Sequence, residues 1–103
     1  MWAQLIKTRL KPGREGDLAR LEEQIRKAEQ PASGLIRSFM MQDRNDPSRA
    51  YMFVVFESEA KARARENDPR RQEGLQAARK IMAEIFDGAP EFVDLNVVEE
   101  FTP

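Results

Sequence analysis

No cysteine and no histidine occur among the 103 residues. Without cysteine there is no disulfide, no thiolate nucleophile and no sulfur-ligated metal, and the redox compartment leaves no mark on the sequence. Without histidine the chain lacks the commonest general base, the commonest metal ligand and the usual proximal ligand of haem. An excess of either charge is also missing. Lysine plus arginine number 17 against 18 acidic residues, a net charge of -1, so no global field draws the chain to nucleic acid or to an anionic membrane, and neither partner is expected. Long apolar runs are absent too. Met1 to Leu10 carries Lys7 and Arg9 inside a short apolar stretch, which fits neither a signal peptide nor a membrane span, so a cytoplasmic location is expected. A chain of this length suits one domain, residues 1–103, with a modest core.

What is present is a periodic pattern. Trp2 to Leu10 places apolar residues on both parities, as in a strand covered on each face. Lys11-Pro12-Gly13 stops it. From Arg14 to Gln30, Leu18, Leu21, Ile25 and Ala28 recur at helical spacing, with Glu22/Arg26 and Glu23/Lys27 paired on the wet side, until Pro31 and Gly34 end the helix. Leu35 to Gln42 and Ala50 to Phe56 read as two strands of a hairpin around an Asp46-Pro47 turn. The second of these is apolar on both faces, with Met52, Val54 and Phe56 on one side and Tyr51, Phe53 and Val55 on the other. Ser58 caps a short helix through Glu66, and Asp68-Pro69 restarts helix with Leu75, Ala78, Ile81, Met82, Ile85 and Phe86 on its apolar side. Gly88 and Pro90 stop it, and Phe92 to Glu99 alternates as an outer strand. The order is β-α-β-β-α-β. An α+β, ferredoxin-like fold is predicted, with helices on one face of an antiparallel four-stranded sheet.

Two helices can cover only one face of a four-stranded sheet, yet its central strand is apolar on both. The second face has a footprint on the order of 350 Å², and hiding half of it at ~25 cal/mol/Å² is worth several kcal/mol. A second copy of the chain is the simplest cover, so a homodimer is expected. In this reading Tyr51, Phe53 and Val55 need the partner, while Met52, Val54 and Phe56 face the helices.

The sequence resembles the antibiotic biosynthesis monooxygenase (ABM) group of the dimeric α/β-barrel superfamily over nearly its whole length. The likeness is carried by Lys11-Pro12-Gly13 entering the first helix, Gly34 opening the second strand, Asp46-Pro47 in the hairpin, and Phe56-Glu57-Ser58-Glu59-Ala60 leaving the third strand. The resemblance implies a dimeric α/β barrel with an apolar pocket between sheet and helices in each subunit. In haem-degrading relatives an asparagine, a tryptophan and a proximal histidine stand at positions that fall here on Ile6, Phe56 and Leu75. All three are apolar, so haem degradation is not expected. Quinone-forming relatives need neither metal nor flavin, and the resemblance therefore implies a monooxygenase acting without cofactor on a small aromatic or phenolic molecule.

Residues able to hold or polarise such a substrate are Trp2, Gln4, Arg37, Tyr51, Phe56, Asn67 and Asn96. No catalytic residue and no metal ligand is assigned. Each candidate has a plainer role: Trp2 and Phe56 as packing aromatics, Arg37 and Tyr51 as contacts between subunits, Asn67 as a helix cap. The stretch from Lys61 to Lys80 is rich in arginine, whereas the residues after it hold six acids (Glu84, Asp87, Glu91, Asp94, Glu99, Glu100) and no base. Solvated faces account for this, and an anionic substrate drawn to the arginines is the sharper alternative. A non-catalytic, ligand-binding or stress-related dimer is a second reading. A third is an RNA-recognition domain, since Arg49 to Phe56 approximates its third-strand motif and Trp2 could supply a stacking aromatic; Met52 in a small-residue position and the acidic C-terminal third oppose it.

Overall fold

A computed structural model describes all 103 residues. The elements are β1 (Trp2–Arg9), α1 (Leu18–Lys27), β2 (Leu35–Gln42), β3 (Arg49–Phe56), α2 (Glu59–Glu66), α3 (Pro69–Gly74), α4 (Gln76–Ile85) and β4 (Glu91–Asn96). The sheet runs β2-β3-β1-β4 with every neighbouring pair antiparallel, the ferredoxin-like arrangement expected from the element order. No helix is long and apolar enough to cross a membrane.

Local chemistry explains where the elements begin. The Ser58 side chain, on an extended backbone, accepts a hydrogen bond from the Lys61 N–H at 3.2 Å and starts α2. Asp68 accepts from the Arg70 N–H at 2.9 Å, and Pro69 occupies the first position of α3, where a missing N–H costs nothing. In the hairpin the Arg49 N–H donates to the Asp46 carbonyl at 2.9 Å, closing the turn around Pro47.

Three boundaries differ from the sequence reading. The helix expected from Arg14 opens as a 3₁₀ turn, Glu15–Asp17, and is α-helical only over Leu18–Lys27; neither segment has a side-chain cap. The helix after Pro69 breaks at the buried Leu75 into α3 and α4. Gly74 packs on the end of α1 here, so closely that a Cβ would lie 3.1 Å from Ala28. The outer strand, expected to reach Glu99, stops at Asn96 because its partner does: Trp2 pairs with Asn96, and beyond it only the Val97 N–H reaches Met1.

Register assigns the faces. Trp2 opposes Phe56, Gln4 opposes Val54, and Ile6 opposes Met52, so these residues share one side of the sheet. On β2 the pairing shifts by one residue between Leu35 and Arg37. This bulge at Ile36 leaves Leu35 beside Phe56 on the first side and turns Arg37 to the other. The helices cover the first side, where the buried core divides into two clusters. The larger joins Leu10 and Ala50 to Leu18, Leu21, Ala78, Ile81 and Ile85 of the helices. The smaller holds Trp2, Val54, Phe56 and Ala62. Met52, Val54 and Phe56 thus face the helices as expected, and the opposite side presents Leu5, Phe53 and Val55 with Phe39 (45% exposed), Met41 (42%) and Leu95 (36%).

Gly34 links α1 to β2 at φ +84°, and a Cβ there would lie 2.7 Å from the Cβ of Lys61. Gly13 has φ +80° and open space around it. In denaturant titrations Gly13→Ala should cost about 1 kcal/mol from backbone strain alone. Gly34→Ala should cost clearly more, because α2 must also move; equal losses would contradict this packing.

Candidate functional site

A cleft lies where the two core clusters fail to meet. One part, about 200 Å³, is walled by Ile6, Met52, Val54 and Phe56 of the sheet and by Leu75 and Met82 of the helical layer. A second part, about 320 Å³, continues from Ile6, Met52, Met82 and Phe92 towards Phe86 and Pro90. An apolar cavity of roughly 150 Å³ is enough to hold benzene, so the volumes suit a molecule of one or two rings. The positions Ile6, Phe56 and Leu75, onto which the haem-site residues of related proteins project, come from two strands and the helical region, and all three line this cleft. None offers a ligand to iron.

Polar side chains share the lining, among them Gln4, Ser38, Arg65, Glu66 and Arg71. Gln4 lines the cleft, and its Nε2 donates to Asp94 Oδ1 at 2.9 Å. Asp94 is held from its other oxygen by Arg63 at 2.9 Å, and the Arg63 guanidinium stands 5.1 Å from the centre of the Trp2 ring. On the opposite wall Arg65 lies 5.3 Å from the centre of the Phe56 ring. Its Nε and Nη2 donate to Glu29 at 3.1 and 2.7 Å. The Arg65 side chain is only 10% exposed, so this pair ties α2 to the second residue beyond α1 with most of the arginine out of water. Burial pushes the Glu29 carboxyl upward, but hydrogen bonds from Arg65 and Ser33 and the charges of Arg65 and Arg71 outweigh it, leaving the group below its ordinary value.

The sequence candidates scatter about this cleft. Gln4 and Phe56 line it. Trp2 is buried beside it, with its ring centroid 6.1 Å from that of Phe56. Asn96 opposes Trp2 on the outer strand and is exposed. Arg37 and Tyr51 are on the far side of the sheet, away from the cleft. Asn67 caps the end of α2, its Nδ2 donating to the Arg63 carbonyl at 3.1 Å. Trp2 also lies across the sheet from Tyr51 and Phe53, so the three cannot form one stacking surface for RNA bases. Arg65, Glu29 and Arg71 escaped the sequence reading. Only the density of arginines after Lys61 pointed their way, and charge density does not say which side chain turns inward.

A family model described as antibiotic biosynthesis monooxygenase matches residues 1–77, from β1 into the start of α4. Curated protein sequences yield no match. Among solved structures, a candidate antibiotic biosynthesis monooxygenase from Bordetella bronchiseptica is 22% identical, with 95% of this chain and 97% of that one aligned at a TM-score of 0.73. One from Chloroflexus aurantiacus is 21% identical over 99% and 98%, at 0.67. A Nitrosomonas europaea protein of unknown function is 22% identical over 99% and 93%, at 0.73. At these identities the likeness is one of fold.

Because the Glu29 carboxyl lies below its ordinary value of 4.5, its contribution to stability is whole above that pH. The contribution is lost as pH falls through the lower, folded-state value. Glu29→Gln should therefore cost about 1–3 kcal/mol at pH 7, where it leaves Arg65 without its counter-ion. The gap between variant and parent should close as acidification carries the carboxyl through its lowered value; a gap independent of pH in thermal melts would remove Glu29 from this role.

Proposed function

The chain belongs to the antibiotic biosynthesis monooxygenase family, and from that premise we propose that it oxidises a small phenolic aromatic in the cleft between sheet and helices, using dioxygen and no cofactor. The observation that supports this reading most is the convergence of Ile6, Phe56 and Leu75 on one apolar cleft of one- to two-ring size. An electron-rich phenol can supply the electrons itself. Its hydroxyl proton is passed to the peroxide that forms as the phenolate adds dioxygen at the para carbon, which gives a hydroperoxide. Loss of water, which also takes the hydrogen of that carbon, leaves a quinone. One oxygen atom is retained, the other departs in water, and four electrons pass from ring to dioxygen. The protein's share is to hold the ring in a dry site and orient it. Ile6, Met52, Met82 and Phe92 grip its faces. Gln4 donates an amide N–H to Asp94, and its carbonyl oxygen is the group in this reading that accepts from the substrate hydroxyl.

We propose further that a second copy covers the far side of the sheet. Phe39, Met41, Phe53, Val55 and Leu95 form a continuous apolar area there on three adjacent pairs of strands, and a two-fold partner would present the same area in return.

Two measurements test these readings. Oxygen uptake and product mass, followed with substituted phenols and naphthols in metal-free buffer, should show one oxygen atom gained and two hydrogens lost per substrate consumed. Binding without uptake across the panel would make the protein a ligand carrier instead. Sedimentation at micromolar concentration should give twice the 11.9 kDa chain mass, and Phe53→Glu should lower it; a wild-type monomer with native circular dichroism would end the dimer proposal.

A further inference from the structure

Arg71 is the anomaly in the wall of the cleft. Its neighbours in the arginine-rich stretch all have partners: Arg63 with Asp94, Arg65 with Glu29, Arg70 with Asp68, and Arg79 with Gln72. Arg71 has no ion pair and no side-chain hydrogen bond, and its Nε is sealed from solvent without an acceptor. A guanidinium normally secures several acceptors when it is withdrawn from water, since an unmet buried donor costs free energy. Burial disfavours its charge most, and the nearby Arg65 and Arg79 add to this, with only part offset by Glu29 and Glu66. An arginine stays protonated even so. The fold therefore maintains a partly buried cation against a local electrostatic penalty.

Its position gives that penalty a use. Arg71 lines the apolar cleft, and it also lines a polar recess of about 140 Å³ on the other side, between the 30–33 connection and α2. Four cations border the recess (Lys61, Arg65, Arg70, Arg71) against the single acid Asp68. Lys61 is occupied by Glu57, which leaves Arg71 as the free cation where the apolar and basic cavities adjoin. Phe56 and Met52 stand on the sheet side of the same cleft.

We propose that Arg71 anchors the carboxylate of an aromatic acid whose ring lies in the cleft against Met52 and Phe56. This rests on the cleft being the substrate site and narrows the substrate class to phenols that also carry a carboxylate. A carboxylate meets the requirement better than the reacting hydroxyl. It is charged throughout the neutral pH range, whereas a phenol is protonated there, and its two oxygens match the planar fork of a guanidinium. The Arg65–Glu29 pair keeps the adjacent arginine from competing for the ligand.

Calorimetric titration with 1-naphthoate and its neutral counterpart 1-naphthamide tests this. The carboxylate should bind the wild-type protein about tenfold more tightly or better, the difference expected of one charge-assisted contact. Arg71→Gln should abolish that preference while leaving the amide's affinity unchanged, and Arg71→Lys should restore part of it. Because the free protein loses an unpaired, partly buried charge, Arg71→Gln should melt no lower than the parent, which controls for folding. Equal binding of the two probes to the wild type would overturn the role of Arg71 and leave the cleft reading intact. Equal loss of both probes in Arg71→Gln would make the residue a mere wall and overturn the proposal likewise. Failure of both to bind the wild type would overturn the cleft reading and this inference together.

Discussion

The antiparallel pairing of Trp2 with Phe56 decides on which side of the sheet β1 and β3 place their residues, because side chains alternate with a period of two and a one-residue slip would exchange the faces. With that pair set, Ile6, Met52 and Val54 must meet the helices, and Leu5, Phe53 and Val55 must face away. The covered side is then longer than the helices can fill. α1 and α4 pack over one end with Leu21, Ala78 and Ile85, while α2 supplies only the small Ala62 at the other. Two cores form instead of one, and the interval between them is the cleft. The candidate site is thus a consequence of how a short helical layer meets a longer sheet.

Much of this was legible in the sequence because it rests on short-range chemistry. Ser58, Asp68-Pro69 and Asp46-Pro47 each act on backbone groups within a few residues, so their roles can be read locally. The parity of β3 was legible for the same reason. The extent of β4 was not, since it depends on where its partner begins, and Val97 finds only Met1 opposite. The bulge at Ile36 was also hidden. It inserts one residue into an otherwise regular alternation, and without it Leu35 and Arg37 would share a face.

The site was harder to read than the fold. Of the candidate residues, Gln4 and Phe56 reach the cleft, and both are on strands whose alternation predicts which way they point. Asn67 and the arginines are on helices interrupted at Asn67 and again at Leu75, and each interruption resets the angular phase along the chain. Helical spacing therefore cannot carry from Arg63 to Arg71. That one guanidinium should find Glu29, a second Asp94 and a third nothing is a property of the assembled layers.

The cleft's outer wall is the edge of the sheet. Phe92 is borne by β4, which is bonded to β1 alone and leaves its other margin without a neighbouring strand. A central strand cannot be displaced without rupturing two ladders, but β4 hangs on one, and the free energy of local opening is lowest for such elements. Fraying of this border strand would widen the cleft at Phe92 while leaving the ladder between β1 and β3 intact, so the shape of the cleft can vary without loss of the domain's stability.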